Sequence, residues 1–239
     1  MKKLTSAILA CLISTVIIFL SGESNAGVVI EQVVRDREGV ASKVVLHLSE
    51  FQFRTDRPER GLMTVMDFQK DRLFLIDHRS QSYVEVKLSQ WEKEIAERLK
   101  KGMPGVQPKR RKITVRKTVE TATINGFRTE KFEVLADGEL IEEDWLTRNV
   151  DLKEVEKVLD RVAQGFSKDL RLEMKEGREI YEQLKNHGFP IRTKDYTLTY
   201  GLGGVDVVEV RKIERKELKE EVFAPPAGYE RVIPEPSRK

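Results

Sequence analysis

Thiols are almost absent from this chain: Cys11 is the only cysteine in 239 residues. Because Cys11 lies inside an N-terminal apolar run, everything after it lacks disulfides, thiol nucleophiles and thiolate metal sites, so stability must come from packing. Histidine is scarce as well. His47, His78 and His187 have no short-spaced partners of the kind that gather a metal, and each reads as an ordinary strand or turn residue. A charge excess of one sign is also missing. The 43 Lys and Arg residues face 40 Asp and Glu, a formal net charge of +3, which excludes the one-sided basic surface of a nucleic-acid binder. There is no Gly-x-Ser-x-Gly elbow and no solenoid repeat, and Gly201-Leu202-Gly203-Gly204 lacks the Lys and Ser/Thr of a phosphate loop. Carboxylate pairs abound, but with 35% charged residues their proximity singles none of them out. No catalytic residue, metal or cofactor is expected, and the chain is read as a non-enzyme.

What is present begins at the N-terminus. Lys2-Lys3, an apolar run from Leu4 to Leu20 and a polar Ser21 to Ala26 segment spell a secretory signal peptide, with cleavage expected between Ala26 and Gly27 and the periplasm as destination. Two alternatives stay open: retention as an N-terminal anchor, and lipid modification at Cys11. Removal of residues 1–26 leaves 213 residues, and losing Lys2, Lys3 and Glu23 reduces the net charge to +2. This suits a single domain over residues 27–229 followed by a flexible tail over 230–239.

From Val28 to Lys87, short apolar runs broken by turn residues predict about six up-and-down strands. A tight turn at Gln69–Arg72 sets Phe68 against Leu73 and Met66 against Leu75; a turn from Asp77 to Ser82 sets Leu75 beside Val84 and Leu73 beside Val86. One face is then wholly apolar. The other mixes Met63, Val65, Phe74, Ile76 and Tyr83 with Asp67 and Glu85, so a covered side and a half-wet side are expected. Leu88, Trp91, Ile95 and Leu99 mark an amphipathic helix over 88–101. Strands resume at Ile113–Thr121, Phe127–Leu135 and Glu139–Thr147, linked by Asn125-Gly126 and Asp137-Gly138. A capping box at Asp151 and Glu154 opens a second helix with Leu152, Val155, Leu159, Val162 and Phe166 on one face. A third runs from Ser167 to Asn186, with Leu170, Met174, Ile180, Tyr181 and Leu184 inward and Gly177 as a weak point. Strands at Lys194–Tyr200 and Val205–Ile213 finish the pattern. About eleven strands flanking three helices predict an α+β fold: a strongly curved antiparallel sheet, an unclosed β-barrel with helices against its concave side.

Several short segments, in this order, resemble a known family. They are Ser82-Tyr83-Val84-Glu85, the run Thr123-Ile124-Asn125-Gly126-Phe127-Arg128-Thr129-Glu130-Lys131-Phe132-Glu133-Val134, then Glu143-Asp144-Trp145-Leu146-Thr147, and Phe223-Ala224-Pro225-Pro226-Ala227-Gly228-Tyr229. The chain is similar to the uncharacterised bacterial exported domains related to the outer-membrane lipoprotein carriers, the LolA/LolB-like fold. The resemblance implies an unclosed barrel with a helical lid over an apolar cavity, outside the cytoplasm. Members often carry a cysteine where this chain has Thr129, so no thiol role transfers.

The function expected is a binding module that holds a lipid, an acyl chain or a lipidated partner, with Met66, Phe68, Leu75, Val84, Trp91 and Trp145 as candidate lining residues. The alternative is an envelope protein-interaction or stress-sensing module. Its support is the mixed-charge stretch Arg211–Glu221, which reads either as docking surface or as edge protection. The basic cluster Lys109-Arg110-Arg111-Lys112, after a Pro/Gly-punctuated connector, reads as a solvated linker or as a site of transient contact with an anionic membrane surface.

Overall fold

The computed structural model of the protein describes residues 25–36, 38–101, 111–164, 172–196 and 206–233. Two antiparallel meanders form a single sheet. The first comprises β1 (Asn25–Arg35), β2 (Ala41–Leu48), β3 (Gln52–Arg57), β4 (Leu62–Asp67), β5 (Arg72–Asp77) and β6 (Ser82–Lys87). The second comprises β7 (Ile113–Ile124), β8 (Phe127–Ala136), β9 (Glu139–Thr147), β10 (Phe189–Asp195) and β11 (Asp206–Leu218). Their outer members meet: β1 pairs with β11 from Asn25 opposite Leu218 to Arg35 opposite Val207. A short β12 (Glu230–Arg231) adds in parallel to Ser82–Tyr83, so the segment expected as tail opens as an edge strand. The order across the 12-stranded sheet is β12-β6-β5-β4-β3-β2-β1-β11-β10-β9-β8-β7. With α1 (Leu88–Lys101), α2 (Glu156–Gln164) and α3 (Leu172–Leu184), this is the expected α+β architecture, a large curved and unclosed antiparallel sheet with three helices.

Local chemistry explains the tight connections. Asn125 and Gly126 take φ of 50° and 85°, and Asp137 and Gly138 take 52° and 90°, the left-handed values that these residue types tolerate. Packing explains the layers. Val28, Ile30, Leu48, Ile191 and Val210 on one face of the sheet meet Leu152 and Val155, just before α2, and Val158 within it. Further along the same face, Phe132, Val134 and Leu146 meet Ile180 and Leu184 of α3. The reverse face carries Met63, Val65, Phe74 and Ile76, which are covered by Leu218, Val222, Phe223 and Tyr229. Arg54 ties this cover down by donating to the Val222 carbonyl at 2.8 Å.

Several expectations are corrected. Met66 faces Leu73 and Thr64 faces Leu75, a two-residue slip from the expected register, whereas Leu75–Val84 and Leu73–Val86 hold. The turn spans Phe68 to Asp71 instead, because Asp67 Oδ1 accepts the Lys70 N–H at 2.8 Å and Asp71 takes a φ of 50°. An even slip keeps every side chain on its predicted face. The mixed face, not the wholly apolar one, is the better buried: Asp67 is 2% exposed while Leu75 is 39% exposed. The C-terminal segment supplies that cover. β10 starts five residues earlier than expected, since Gly188 at φ 140° turns straight into the sheet, and Pro190 sits beside a bulge where it disrupts little. The capping box does not close. Asp151 Oδ1 accepts the Lys153 N–H at 3.2 Å, Glu154 instead takes Arg215 Nε at 2.6 Å, and a 3-10 turn at Lys153–Val155 precedes α2. β11 lies inside the sheet, between β1 and β10, so its alternating charges do not guard an edge. They pair locally, as in Lys212 with Glu214 at 2.5 Å.

The signal-peptide run to Ser24, the connector through Arg110, the start expected for the third helix at Ser167 and the Gly201–Gly204 turn lie outside the described residues. Among the described residues, no helix is long and apolar enough to cross a membrane.

Candidate ligand cavity

From Glu142 onward, past a bulge at Ile141, β9 alternates, so Glu142, Asp144 and Leu146 point towards the helices while Glu143, Trp145 and Thr147 point away. With β10 beside it as floor and α2 and α3 as roof, β9 encloses a cavity of about 590 Å³. Its apolar walls come mainly from Leu146, Leu152, Leu159, Ile180, Leu184 and Phe189. The roof is fastened across the two helices, where Tyr181 donates its hydroxyl to Asp160 Oδ1 at 2.8 Å. Burial first, and that carboxylate second, hold the Tyr181 proton well above the usual phenol range. Gly177 of α3 lies at the mouth, where a Cβ would meet nothing within 4 Å.

The polar groups of the floor are two carboxyls. Asp144 is 1% exposed; its Oδ1 accepts from Thr193 Oγ1 at 2.6 Å, and its Oδ2 has no partner that carries a fixed proton. Glu142, two residues away on the same face, touches it. Burial above all, and then the Asp144 charge, drive the Glu142 carboxyl far above the usual carboxylate range. Burial raises Asp144 as well, and the charge of Asp195 adds to both. Two carboxyls in contact away from water are satisfied by one shared proton, with the Glu142 acid donating to Asp144.

The other face of β9 has the opposite electrostatics. Lys131 Nζ lies 2.6 Å from Glu143 Oε1 and 3.0 Å from Glu120 Oε1, and 5.8 Å from the centre of the Trp145 ring. Tyr196 donates to Glu143 Oε2 at 2.7 Å. Burial opposes charge on Glu143, yet the bonds from Lys131 and Tyr196 hold its pKa below the ordinary value.

The residues singled out in the sequence lie elsewhere. Met66, Phe68, Leu75 and Val84 share the helix-facing side of the first meander; Phe68 packs towards α2, with the Arg161 guanidinium 5.3 Å from its ring centre. Trp91 is half-buried on α1. Trp145 points away from Asp144, opposite Lys131, and packs against the core cluster that includes Ile124 and Ile191, its Nε1 buried without a partner. None of the six lines the 590 Å³ cavity. Thr129 is fully buried and donates to the Ala122 carbonyl at 3.0 Å. His47 Nδ1 lies 3.2 Å from Asp56, His78 bonds the Tyr229 hydroxyl at 2.8 Å and His187 packs on Phe132. Among the described residues, no group of His, Cys, Asp and Glu could hold a metal, and no histidine lines the cavity. Arg111 of the basic cluster binds Glu176 at 2.5 Å. The sequence signal for the missed pair is Glu142-x-Asp144-x-Leu146, two acids in phase with a buried leucine.

A family model described as a domain of unknown function, DUF4412, matches residues 40–229. The chain belongs to this family. The DUF4412 match contains the whole cavity but stops short of β1, which lies mid-sheet. No curated protein matches. Among solved structures, an uncharacterised conserved protein from Thermus thermophilus is similar at 11% identity and a TM-score of 0.45, over 87% of this chain and 90% of that one. The MucA/MucB complex of Pseudomonas aeruginosa matches at 10% identity and a TM-score of 0.40, over 87% of this chain and 58% of that one. A LolA superfamily protein from Nitrosomonas europaea matches at 8% identity and a TM-score of 0.30, over 84% of this chain and 90% of that one.

Proposed function

We propose that this DUF4412 protein is an exported, non-catalytic binding module of the periplasm, and that the cavity under α2 and α3 holds a lipid, an acyl chain or the acyl part of a lipidated partner. The observation that carries this reading is the cavity, about 590 Å³ with predominantly aliphatic walls. Small-molecule sites commonly measure about 300–1,000 Å³ with apolar walls and a few polar groups, and binding in them draws on about 25 cal/mol per Å² of apolar area covered. Support for export is the Lys2 to Ala26 pattern, which gives a mature protein beginning at Gly27.

The test is native mass spectrometry of the protein purified from its own envelope, together with titration of the delipidated protein with the neutral fluorophore N-phenyl-1-naphthylamine. A small-molecule adduct and a saturable rise in fluorescence are expected, and Gly177→Trp, which overhangs the mouth, should abolish the rise without altering circular dichroism. Absence of both signals removes the reading. A single stoichiometric protein partner recovered without lipid supports the interaction module instead.

A further inference from the structure

We infer that the ligand of this cavity is an amphiphilic amine, whose cationic head seats against Asp144 and Glu142 while its apolar chain lies beneath α2 and α3. This rests on the binding reading above and adds the chemical class of the ligand. Asp144 is almost wholly inaccessible, at 1% exposure, yet its Oδ2 has no fixed donor, while Oδ1 is satisfied by Thr193. Among the described residues, the only donor within reach of this buried oxygen is the proton on Glu142, and a charged N–H is a stronger donor that can take its place.

The surrounding charges favour a cation. Beside the pair on β10 stands Asp195, whose charge adds to both carboxyls. The lead-in to α2 contributes Asp151 and Lys153, and α2 itself Glu156; α3 contributes Tyr181, followed by Lys185. Lys153 lies 3.4 Å from Asp151, and Lys185 lies 2.9 Å from Glu182 and 3.8 Å from Asp160, so both ammonium groups are engaged at the rim. Tyr181 is turned to Asp160. Four acidic residues against two lysines therefore line the space, and a fatty-acid carboxylate or a phosphate would meet repulsion at the floor.

Occupancy is an exchange. The proton shared by Glu142 and Asp144 leaves to solvent as the ammonium arrives, so one cation enters, one proton departs and no covalent bond to carbon changes. Amine binding then tightens as pH rises.

The experiment is isothermal titration of the delipidated protein with decylammonium, decanol and decanoate, from about pH 6 to about pH 9 in buffers of differing ionisation enthalpy. Decylammonium should bind about tenfold more tightly than decanol, with decanoate weakest, and should release protons. Asp144→Asn should bring decylammonium down to the affinity of decanol while leaving decanol within about twofold, which also certifies the fold. Glu142→Gln, which retains the Asp144 charge, should remove the proton release and flatten the pH dependence. If decanol or decanoate binds as well as decylammonium, or if Asp144→Asn changes nothing, the amine assignment fails and the cavity reading stands. If none of the three binds, the cavity reading itself fails.

Discussion

Glu142 and Glu143 are chemical twins one peptide bond apart, and the pleat sends them into opposite surroundings. Glu142 faces apolar walls and another acid, which raise its pKa; Glu143 faces Lys131 and Tyr196, which lower it. The signs follow. A carboxyl raised above its unfolded value of 4.5 contributes its full stability below that pH and loses it as pH climbs through the folded value; a lowered one contributes above 4.5 and loses its part as pH falls. Glu142→Gln should therefore raise the melting temperature at neutral and alkaline pH and converge with the parent below about pH 4.5, as read in melts across pH. Removing Lys131 leaves Glu143 with only the Tyr196 hydroxyl and Lys194 at 3.6 Å, so Lys131→Met should cost about 1–3 kcal/mol in urea unfolding. At Thr129, cysteine should fold with a loss of about 1 kcal/mol, for the hydrogen bond to Ala122, and its thiol should resist maleimide until the protein is denatured.

At the scale of elements, two glycines have opposite meanings. Gly177 sits in a helix with open space beside it, so Gly177→Ala should add about 0.5–1 kcal/mol of stability. Gly188 sits at φ 140°, and a Cβ there would lie 2.4 Å from the Thr147 carbonyl oxygen, so Gly188→Ala should cost at least about 2 kcal/mol; denaturant midpoints check both. Most elements are legible in the sequence because period and turn chemistry are local: the Asn-Gly and Asp-Gly hairpins, the helix at Leu88 and the switch from strands to helices and back. Where an element depends on distant partners, the sequence misleads. Glu154 has the spacing of a capping residue, but Arg215, sixty-one positions on, claims it. Gly188-Phe189-Pro190 has the chemistry of a helix stop alone, because its strand role depends on Thr147 being close enough to turn against.

For the whole molecule, the unclosed sheet and its helix-covered side are legible in the sequence, while the position of the cavity is not. The apolar residues of the first meander stand out by composition, but the space lies over the second, where the roof of α2 and α3 stands off the floor. No periodicity reports such a gap. The reverse face shows a similar dependence: Val222, Phe223 and Tyr229 cover Met63, Val65, Phe74 and Ile76. Ending the chain at Lys219 should expose that patch and produce a species that binds hydrophobic dyes and self-associates, as seen by light scattering.

The seam between β1 and β11 also sets an order of events. Residues 25–35 wait for residues 207–218, so the two meanders have no joint until β11 has been made. Non-local pairing of this kind closes slowly. A polypeptide that ties β1 to β11 keeps one strand edge of each half unpaired until the other half exists, and the two halves become one sheet in that single late step.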